Sequence, residues 1–340
     1  MIAAREALHK LIERVDLTRE EMLDVMRQVM VGELTSAQIA GLLIALRMKG
    51  ETVEEIAAAA EVMRTLSAKV EVTADAHLID TCGTGGDGIQ TFNVSTVCAF
   101  VAAAAGAKVA KHGGRSVSST CGSADVLEAL GVNVNLTPEQ VARCVDNIGI
   151  GFMFAPNHHS AMKHAAPVRR ELGVRTLFNL LGPLTNPAGA RNQVMGVFDR
   201  ALTGKLAHVL LRLGSAHVMV VHGADGMDEI SFAGDTFVAE LKNGQVREYT
   251  LNPRQFGMSL HRAESIRVDN AEQSKAMILD VLAGQAGPAR DIVLLNAGAA
   301  IYVAGQADSM QAGITRAAQA IDGGAARAKL DQLAAMSVQP

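Results

Sequence analysis

The stretch Asp80-Thr81-Cys82-Gly83-Thr84-Gly85-Gly86-Asp87-Gly88 is well suited to holding an anion. Glycines lack a Cβ, so consecutive amides can turn toward one bound group and form a nest. Gly83, Gly85 and Gly88 also satisfy the Gly-x-Gly-x-x-Gly dinucleotide pattern. That site needs an acidic residue about 20 positions further on, for the ribose hydroxyls. No Asp or Glu occurs from Gly88 through Ala124, and the same span carries Lys108, Lys111, His112 and Arg115. The dinucleotide reading fails, and a phosphate or pyrophosphate is the expected ligand. Just beyond, Asn93-Val94-Ser95-Thr96 places three polar side chains where a helix should begin. The free amides and positive dipole end of such a helix favour the same ligand. Asp87 is the odd member, because an acid beside a phosphate repels unless it holds a hydroxyl, an ammonium or a metal. A tight turn would account for the glycines alone, but not for the polar helix start and the acid-free basic span together.

A second cluster runs Lys111-His112-Gly113-Gly114-Arg115-Ser116-Val117-Ser118-Ser119 and continues to Gly122-Ser123. It follows the β-like run Lys108–Lys111, and open α/β sheets place ligands at such strand ends. A solvated loop is the competing reading; two cations, a histidine and several serines at a strand end favour a binding site. Further on, Asp225-Gly226-Met227-Asp228-Glu229 follows the apolar run His217–His222. Adjacent carboxylates on a loop are usually surface charge. Beside a diphosphate site they acquire a purpose, because magnesium binds through one or two carboxylates while phosphate oxygens and waters complete its octahedron.

The elements that must position these groups divide the chain in two. Leu8, Leu11, Ile12 and Val15 recur at helical spacing, and Thr18-x-x-Glu21 forms a capping box before Met22, Val25, Met26 and Val29. Ser36 is the expected cap of a third helix, and Thr52-x-x-Glu55 opens a fourth. From about Val70, β-like runs alternate with helical stretches: His77–Thr81, Lys108–Lys111, Val132–Asn135, Gly151–Phe154, Gln193–Phe198, His217–His222 and Asp291–Asn296. Thr137-Pro138-Glu139-Gln140 opens the clearest intervening helix. The expectation is an α/β fold, with a small all-helical domain and a large domain built on a mostly parallel sheet with helices on both faces. One antiparallel hairpin is predicted, Thr236–Leu241 with Val246–Leu251.

Composition narrows the function classes. The 340 residues can hold one large domain or two modest ones. Hydrophobic residues make up 49%, yet the longest apolar stretch, Val94 to Ala110, is Ala- and Gly-rich and interrupted, so no membrane span is expected. Arg5, Glu6, His9 and Lys10 break the opening turns, against a secretory signal. Cys82, Cys98, Cys121 and Cys144 are widely spaced and read as buried, reduced thiols of a cytoplasmic protein. A formal net charge of -4, no Trp and two Tyr argue against a nucleic-acid binder. A small molecule is the expected cargo.

Taken together, these motifs resemble the anthranilate phosphoribosyltransferases of tryptophan biosynthesis, over nearly the whole chain. The resemblance rests on Gly83-Thr84-Gly85-Gly86-Asp87, Asn93-Val94-Ser95-Thr96, Lys111-His112-Gly113, Arg115 through Ser119 and Asp228-Glu229. It extends to His158-His159-Ser160-Ala161-Met162-Lys163 and to Asn179-Leu180-Leu181-Gly182-Pro183-Leu184-Thr185-Asn186-Pro187. It implies the fold of the pyrimidine nucleoside phosphorylases, with residues 1–72 helical, a return to that domain at about 159–188, and residues 73–158 and 189–340 forming the α/β domain. It also implies a homodimer through the helical domain.

By the same resemblance, phosphoribosyl pyrophosphate is held by Gly83, Gly86, Asp87, Thr91, Asn93, Val94, Ser95, Thr96, Lys111, Arg115, Ser118, Ser119 and Ser123. Two Mg2+ ions are implied, one touching Ser95 and the other Asp228 and Glu229. Anthranilate is expected near Gly83, His112, Gly114, Pro156, His159, Met162 and Arg169, its carboxylate meeting the planar Arg169 guanidinium rather than Arg170. The family normally has asparagine where this chain has Gly114, so one contact to anthranilate is expected to be missing. The implied reaction is displacement at the anomeric carbon, in which the neutral arylamine attacks as pyrophosphate leaves. Lys111 is expected to act on the leaving group and His112 to lie beside the amine, with no general base assigned. A nucleoside phosphorylase of the same fold, or a non-catalytic nucleic-acid-binding relative, are the competing readings.

Overall fold

Three capping boxes shape the helical N-terminal part of the chain, whose computed structural model describes residues 2–73, 77–115 and 121–339. Helix α1 (Ala4–Ile12) is followed by α2 (Arg19–Val31), α3 (Ser36–Lys49) and α4 (Val53–Leu66). Thr18 caps α2 reciprocally with Glu21, and Thr52 caps α4 with Glu55. Glu55 is fully buried, accepts from the Leu17 amide at 3.0 Å and pairs with Lys49 at 2.9 Å, so one cap also ties α4 to the chain entering α2. The cap of α3 is Thr35, paired with Gln38; Ser36, the expected cap, is the first helical residue.

Strand β1 (Leu78–Gly83), helix α5 (Val94–Ala104), strand β2 (Lys108–Gly113), helices α6 (Ser123–Ala129) and α7 (Pro138–Ile148) and strand β3 (Ile150–Phe154) follow. Short helices α8 (Ala155–His158), α9 (Ala166–Leu172) and α10 (Phe178–Leu181) make the passage to strand β4 (Asn192–Gly196). Helix α11 (Leu202–Arg212), strand β5 (His217–Gly223) and the hairpin β6 (Thr236–Lys242) and β7 (Gln245–Leu251) complete the sheet. Helices α12 (Ala271–Leu282), α13 (Pro288–Val303), α14 (Met310–Asp322) and α15 (Ala325–Ser337) close the chain.

Among the described residues the seven strands form one sheet in the order β3-β2-β1-β4-β5-β6-β7, parallel from β3 to β5 and antiparallel from β5 to β7. One face packs on α5, α13 and their neighbours through Ile79, Val109, Phe152 and Val221. On the other face Met195, Val197, Val218 and Val220 share a continuous core with the N-terminal helices. Ala165, Val168, Leu177, Phe178 and Leu184, from the passage between β3 and β4, are buried in that same core.

Two expected strands are absent. Asp291–Asn296 lies inside α13, which is buried nearly all round from Ile292 to Ile301. A continuous apolar run shows no period, so a wholly buried helix reads like a buried strand. Val132–Asn135 has no strand partner among the described residues; Val132 and Val134 are buried, while Asn133 bonds the Ser337 hydroxyl at 2.9 Å. The alternation is real, but it fills the core beside α15 instead of joining the sheet.

Candidate active site

Strands β1, β2, β4 and β5 all end in glycine, at Gly83, Gly113, Gly196 and Gly223. The parallel strands point these ends the same way, where open α/β sheets bind ligands. A Cβ on Gly83 would overlap the Asp228 carboxylate, and one on Gly196 would overlap the Asp228 backbone oxygen. Both glycines therefore admit the loop after β5 to the end of β1. In the glycine loop, Gly85, Gly86 and Gly88 have positive φ (65°, 77° and 78°), the backbone freedom a nest requires.

The carboxylates collect on this floor. Oδ2 of Asp228 accepts from the Gly85 amide at 2.8 Å, and the Asp228 amide reaches Oδ2 of Asp87 at 3.5 Å. Burial, reinforced by the charge of Asp87, pushes the Asp228 carboxyl up to about 7. Burial with the neighbouring Asp228 charge pushes Glu229 up to about 8, against the pull of Lys111. The pair was expected on an open surface loop; both residues are in fact half-buried, between a fully buried Met227 and a buried Ile230. Asn296 of α13 fixes Ile230, accepting from its amide at 2.8 Å and donating to its carbonyl at 2.9 Å.

Acids so crowded call for a cation. No group of three or more His, Cys, Asp or Glu is arranged as a metal cage among the described residues. Two carboxylates with a nearby hydroxyl, Ser95, instead fit a hard divalent ion that takes its remaining oxygens from water and substrate, as magnesium does.

Lys111 is 3% exposed and donates to the Thr81 carbonyl at 2.5 Å and to Ser95 Oγ at 3.1 Å, so β2 delivers a cation to the start of α5. Next to it, His112 donates its amide to Oδ1 of the buried Asp80 at 3.1 Å. Oδ2 of Asp80 accepts from Asn186 at 2.8 Å, and Asn186 also donates to the Ala110 carbonyl at 2.9 Å. Burial raises the Asp80 carboxyl, while Lys111 and Asn186 oppose the rise.

His112 and His159 meet across the cleft with ring centroids 5.1 Å apart. Burial, then the charge of His159, pushes His112 down to about 3, and burial, then the charge of His158, pushes His159 down to about 4, so both rings are neutral near pH 7. Their Nε2 atoms, with Thr96 Oγ1, are buried without a hydrogen-bond partner among the described residues. Such atoms are costly unless something pairs with them. Arg169 is half-buried with its guanidinium 5.3 Å from the Phe178 ring, whereas Arg170 is exposed. Met162 is half-buried and Pro156 exposed. Gly114 has open space where a Cβ would sit, and its φ is not positive.

Not every expected residue turns inward. Arg115 is bound to Asp125 at 2.8 Å and Glu128 at 2.7 Å, both on α6, and so faces away as a neutralised surface group. Acid-free sequence on its own side had concealed these partners just downstream. Thr91 pairs with Arg267 in an isolated bridge, Val94 is buried in the core, and Ser123 opens α6 with its hydroxyl 3.4 Å from the Gly114 carbonyl. Ser118 and Ser119 lie outside the described residues. Arg175 escaped the sequence reading: it donates to the Gly86 carbonyl and stacks 4.1 Å from the Phe198 ring centroid. Gly196, Asp80 and Asn296 escaped it too, because each acts on a partner remote in sequence. A separate cavity of about 910 Å3, lined by Arg200, Lys205, His208, Phe237 and Tyr249 among others, includes none of these site residues.

Comparison with known proteins bears on the family and the fold. Residues 5–67 match the helical bundle domain of a glycosyl transferase family, and residues 75–327 match its a/b domain. The anthranilate phosphoribosyltransferase of Methylobacillus flagellatus is 70% identical over 331 residues, 97% of each chain. That of Thiobacillus denitrificans is 64% identical, covering 100% of this chain and 99% of its own. The crystal structure of the Thermus thermophilus enzyme superposes with a TM-score of 0.93 at 43% identity, over 98% of this chain and 99% of that one. The Saccharomyces cerevisiae enzyme, in complex with PRPP and Mg, gives 0.89 at 26% identity, over 98% and 97%. Sequence, fold and the geometry of the cleft place the chain in the anthranilate phosphoribosyltransferase family.

Proposed function

We propose that this cleft transfers the phosphoribosyl group of phosphoribosyl pyrophosphate to the amine of anthranilate, releasing pyrophosphate. The observation that carries the reading is the meeting of Lys111, Ser95, Asp228 and Glu229 beneath the glycine loop, a cation and two acids around one anion-binding floor. Gly83, Gly86, Asp87, Asn93, Ser95 and Thr96 would hold the phosphoribosyl pyrophosphate, with Lys111 neutralising charge on the leaving group. Asp228, Glu229 and Ser95 would hold magnesium, two ions in our reading. Bound there, the metal would supply Lewis-acid stabilisation of the pyrophosphate. The yeast relative's complex with PRPP and Mg supports this assignment.

Anthranilate would enter between His112, His159, Met162 and Arg169. An arylamine is neutral at pH 7 and attacks without prior deprotonation, so neutral His112 and His159 serve as hydrogen-bonding and shaping groups. Arg169 would bind the carboxylate with both arms of its guanidinium. Orientation of the two substrates across the cleft supplies the rest of the rate. We assign residues 1–72 and 159–188 to one body and residues 73–158 and 189–340 to the other. Ile12, Val15 and Met48, exposed at 63, 48 and 70% on the helical part, are our candidate homodimer face. A cytoplasmic location accords with four free cysteines. No helix among the described residues is long and apolar enough to cross a membrane.

Loss of anthranilate fluorescence on adding phosphoribosyl pyrophosphate, with and without magnesium, tests the reading. Magnesium-dependent loss is the expected result; no turnover under either condition overturns it.

A further inference from the structure

An asparagine at the start of a helix normally folds its side chain back onto the first free amides. Asn93, the cap of α5, makes no such bond. Its side chain is held elsewhere, by two segments remote in sequence. Oδ1 accepts from the Ser274 hydroxyl at 2.7 Å and from the Cys121 thiol at 3.3 Å, and Nδ2 donates to the Cys121 carbonyl at 3.2 Å. The Asn93 amide in turn donates to Ser274 Oγ at 3.1 Å. One hydroxyl therefore grips Asn93 twice, through backbone and side chain.

Ser274 lies in the first turns of α12 and is fully buried. A serine within a helix commonly bonds the carbonyl four residues back. Here the hydroxyl is spent on a loop 181 residues away. The chain before α12 braces the same loop: the Phe92 amide donates to the Ile266 carbonyl at 3.0 Å, and the Val268 amide to the Gln90 carbonyl at 3.0 Å. Cys121, the other partner, immediately precedes Gly122 and Ser123 in the second binding cluster.

In the first turn of α5 the Val94 and Thr96 amides already donate to the Phe92 and Asn93 carbonyls, at 2.7 and 3.0 Å, and the Ser95 amide has no backbone partner among the described residues. We propose that Ser274 is a positioning residue for phosphoribosyl pyrophosphate, holding the Asn93 side chain off the start of α5 so that the Ser95 amide stays open to the anion. The inference rests on the substrate reading above. Without the serine hydroxyl, the Asn93 side-chain amide is free to swing onto the Ser95 amide and compete with the substrate from within the chain. The cost then falls on phosphoribosyl pyrophosphate and spares anthranilate, which binds from the other side of the cleft.

Calorimetry of phosphoribosyl pyrophosphate with magnesium, on the full chain, tests this in Ser274→Ala, Asn93→Ala and the double variant. Ser274→Ala should weaken binding roughly three- to tenfold, the range of one net hydrogen bond. The KM for anthranilate should stay unchanged. In the Asn93→Ala background, Ser274→Ala should add nothing, because the competing side chain is gone. Ser274→Cys, nearly isosteric with a weak donor, should fall between, and it tests the same point should Ser274→Ala fail to fold. Additive effects, or unchanged affinity in Ser274→Ala beside a weakened Asn93→Ala, overturn the positioning role. Unchanged affinity in Asn93→Ala as well overturns instead the assignment of this loop to the substrate.

Discussion

The backbone amide of Gly85 donates a 2.8 Å hydrogen bond to Oδ2 of Asp228, joining two loops 143 residues apart. The bond forms because Gly83, at the end of β1, has no Cβ to block the carboxylate. Gly83→Ala should displace Asp228 and cut turnover roughly ten- to a hundredfold, since misplacing a reacting or metal-holding group by about 1 Å costs that much. Steady-state assay beside a thermal scan checks it; full activity in a folded variant refutes the packing argument.

Removing both acids is the sharper test of the metal. Asp228→Ala with Glu229→Ala should lower magnesium-dependent turnover by roughly two orders of magnitude or more. The fold should survive, because the change deletes two crowded charges that burial already disfavours. Near-normal activity at low magnesium would remove both residues from the metal site.

Asn296 carries the loop that bears these acids. Asn296→Ala leaves the buried Ile230 amide and carbonyl unpaired, which should cost about 1–3 kcal/mol of stability for each orphaned group. The half-saturating magnesium concentration should also rise, since Glu229 adjoins Ile230. Denaturant melts and a magnesium titration measure the two effects separately.

Gly114→Asn should tighten anthranilate binding. A Cβ there meets open space and ordinary backbone geometry, so the side chain enters without strain. A well-aligned amide contributes roughly 0.5–1.5 kcal/mol, equivalent to up to about tenfold in KM for anthranilate. The affinity for phosphoribosyl pyrophosphate should change little. A raised KM for anthranilate would show that glycine is the better residue in this pocket.

Away from the site, Glu240 gathers both tyrosines of the chain and a histidine: His217 Nε2 at 2.8 Å, Tyr302 Oη at 2.8 Å and Tyr249 Oη at 2.9 Å. Burial alone would raise its carboxyl, but these donors bring it from 4.5 down to about 2. The folded state therefore prefers the ionised form. Its stabilisation, about 2–3 kcal/mol, is present above pH 4.5 and lost as pH falls toward 2. Glu240→Gln should flatten that part of the acid-denaturation curve, and an unchanged curve would assign the acid sensitivity to other carboxylates.

What the sequence determined by itself is whatever is written within a few residues. Thr18 and Glu21, Thr52 and Glu55, and Thr137 and Gln140 are spaced to bond each other, so their helices start where expected. The hairpin through Asn243-Gly244 and the short β-like runs Gln193–Phe198 and His217–His222 were readable for the same reason, as was the glycine loop between a strand and a polar helix start. The motifs together sufficed to point to the family. Only the tertiary structure decided the rest, because burial and pairing between remote segments leave no local mark. It turned Asp291–Asn296 into helix, since a segment buried on every side has no polar face to reveal its period. It spent Arg115 on Asp125 and Glu128, while leaving Lys111 buried against Thr81 and Ser95. It also lifted the Asp228 and Glu229 carboxyls, by folding a loop that reads as exposed into a cleft where like charges crowd.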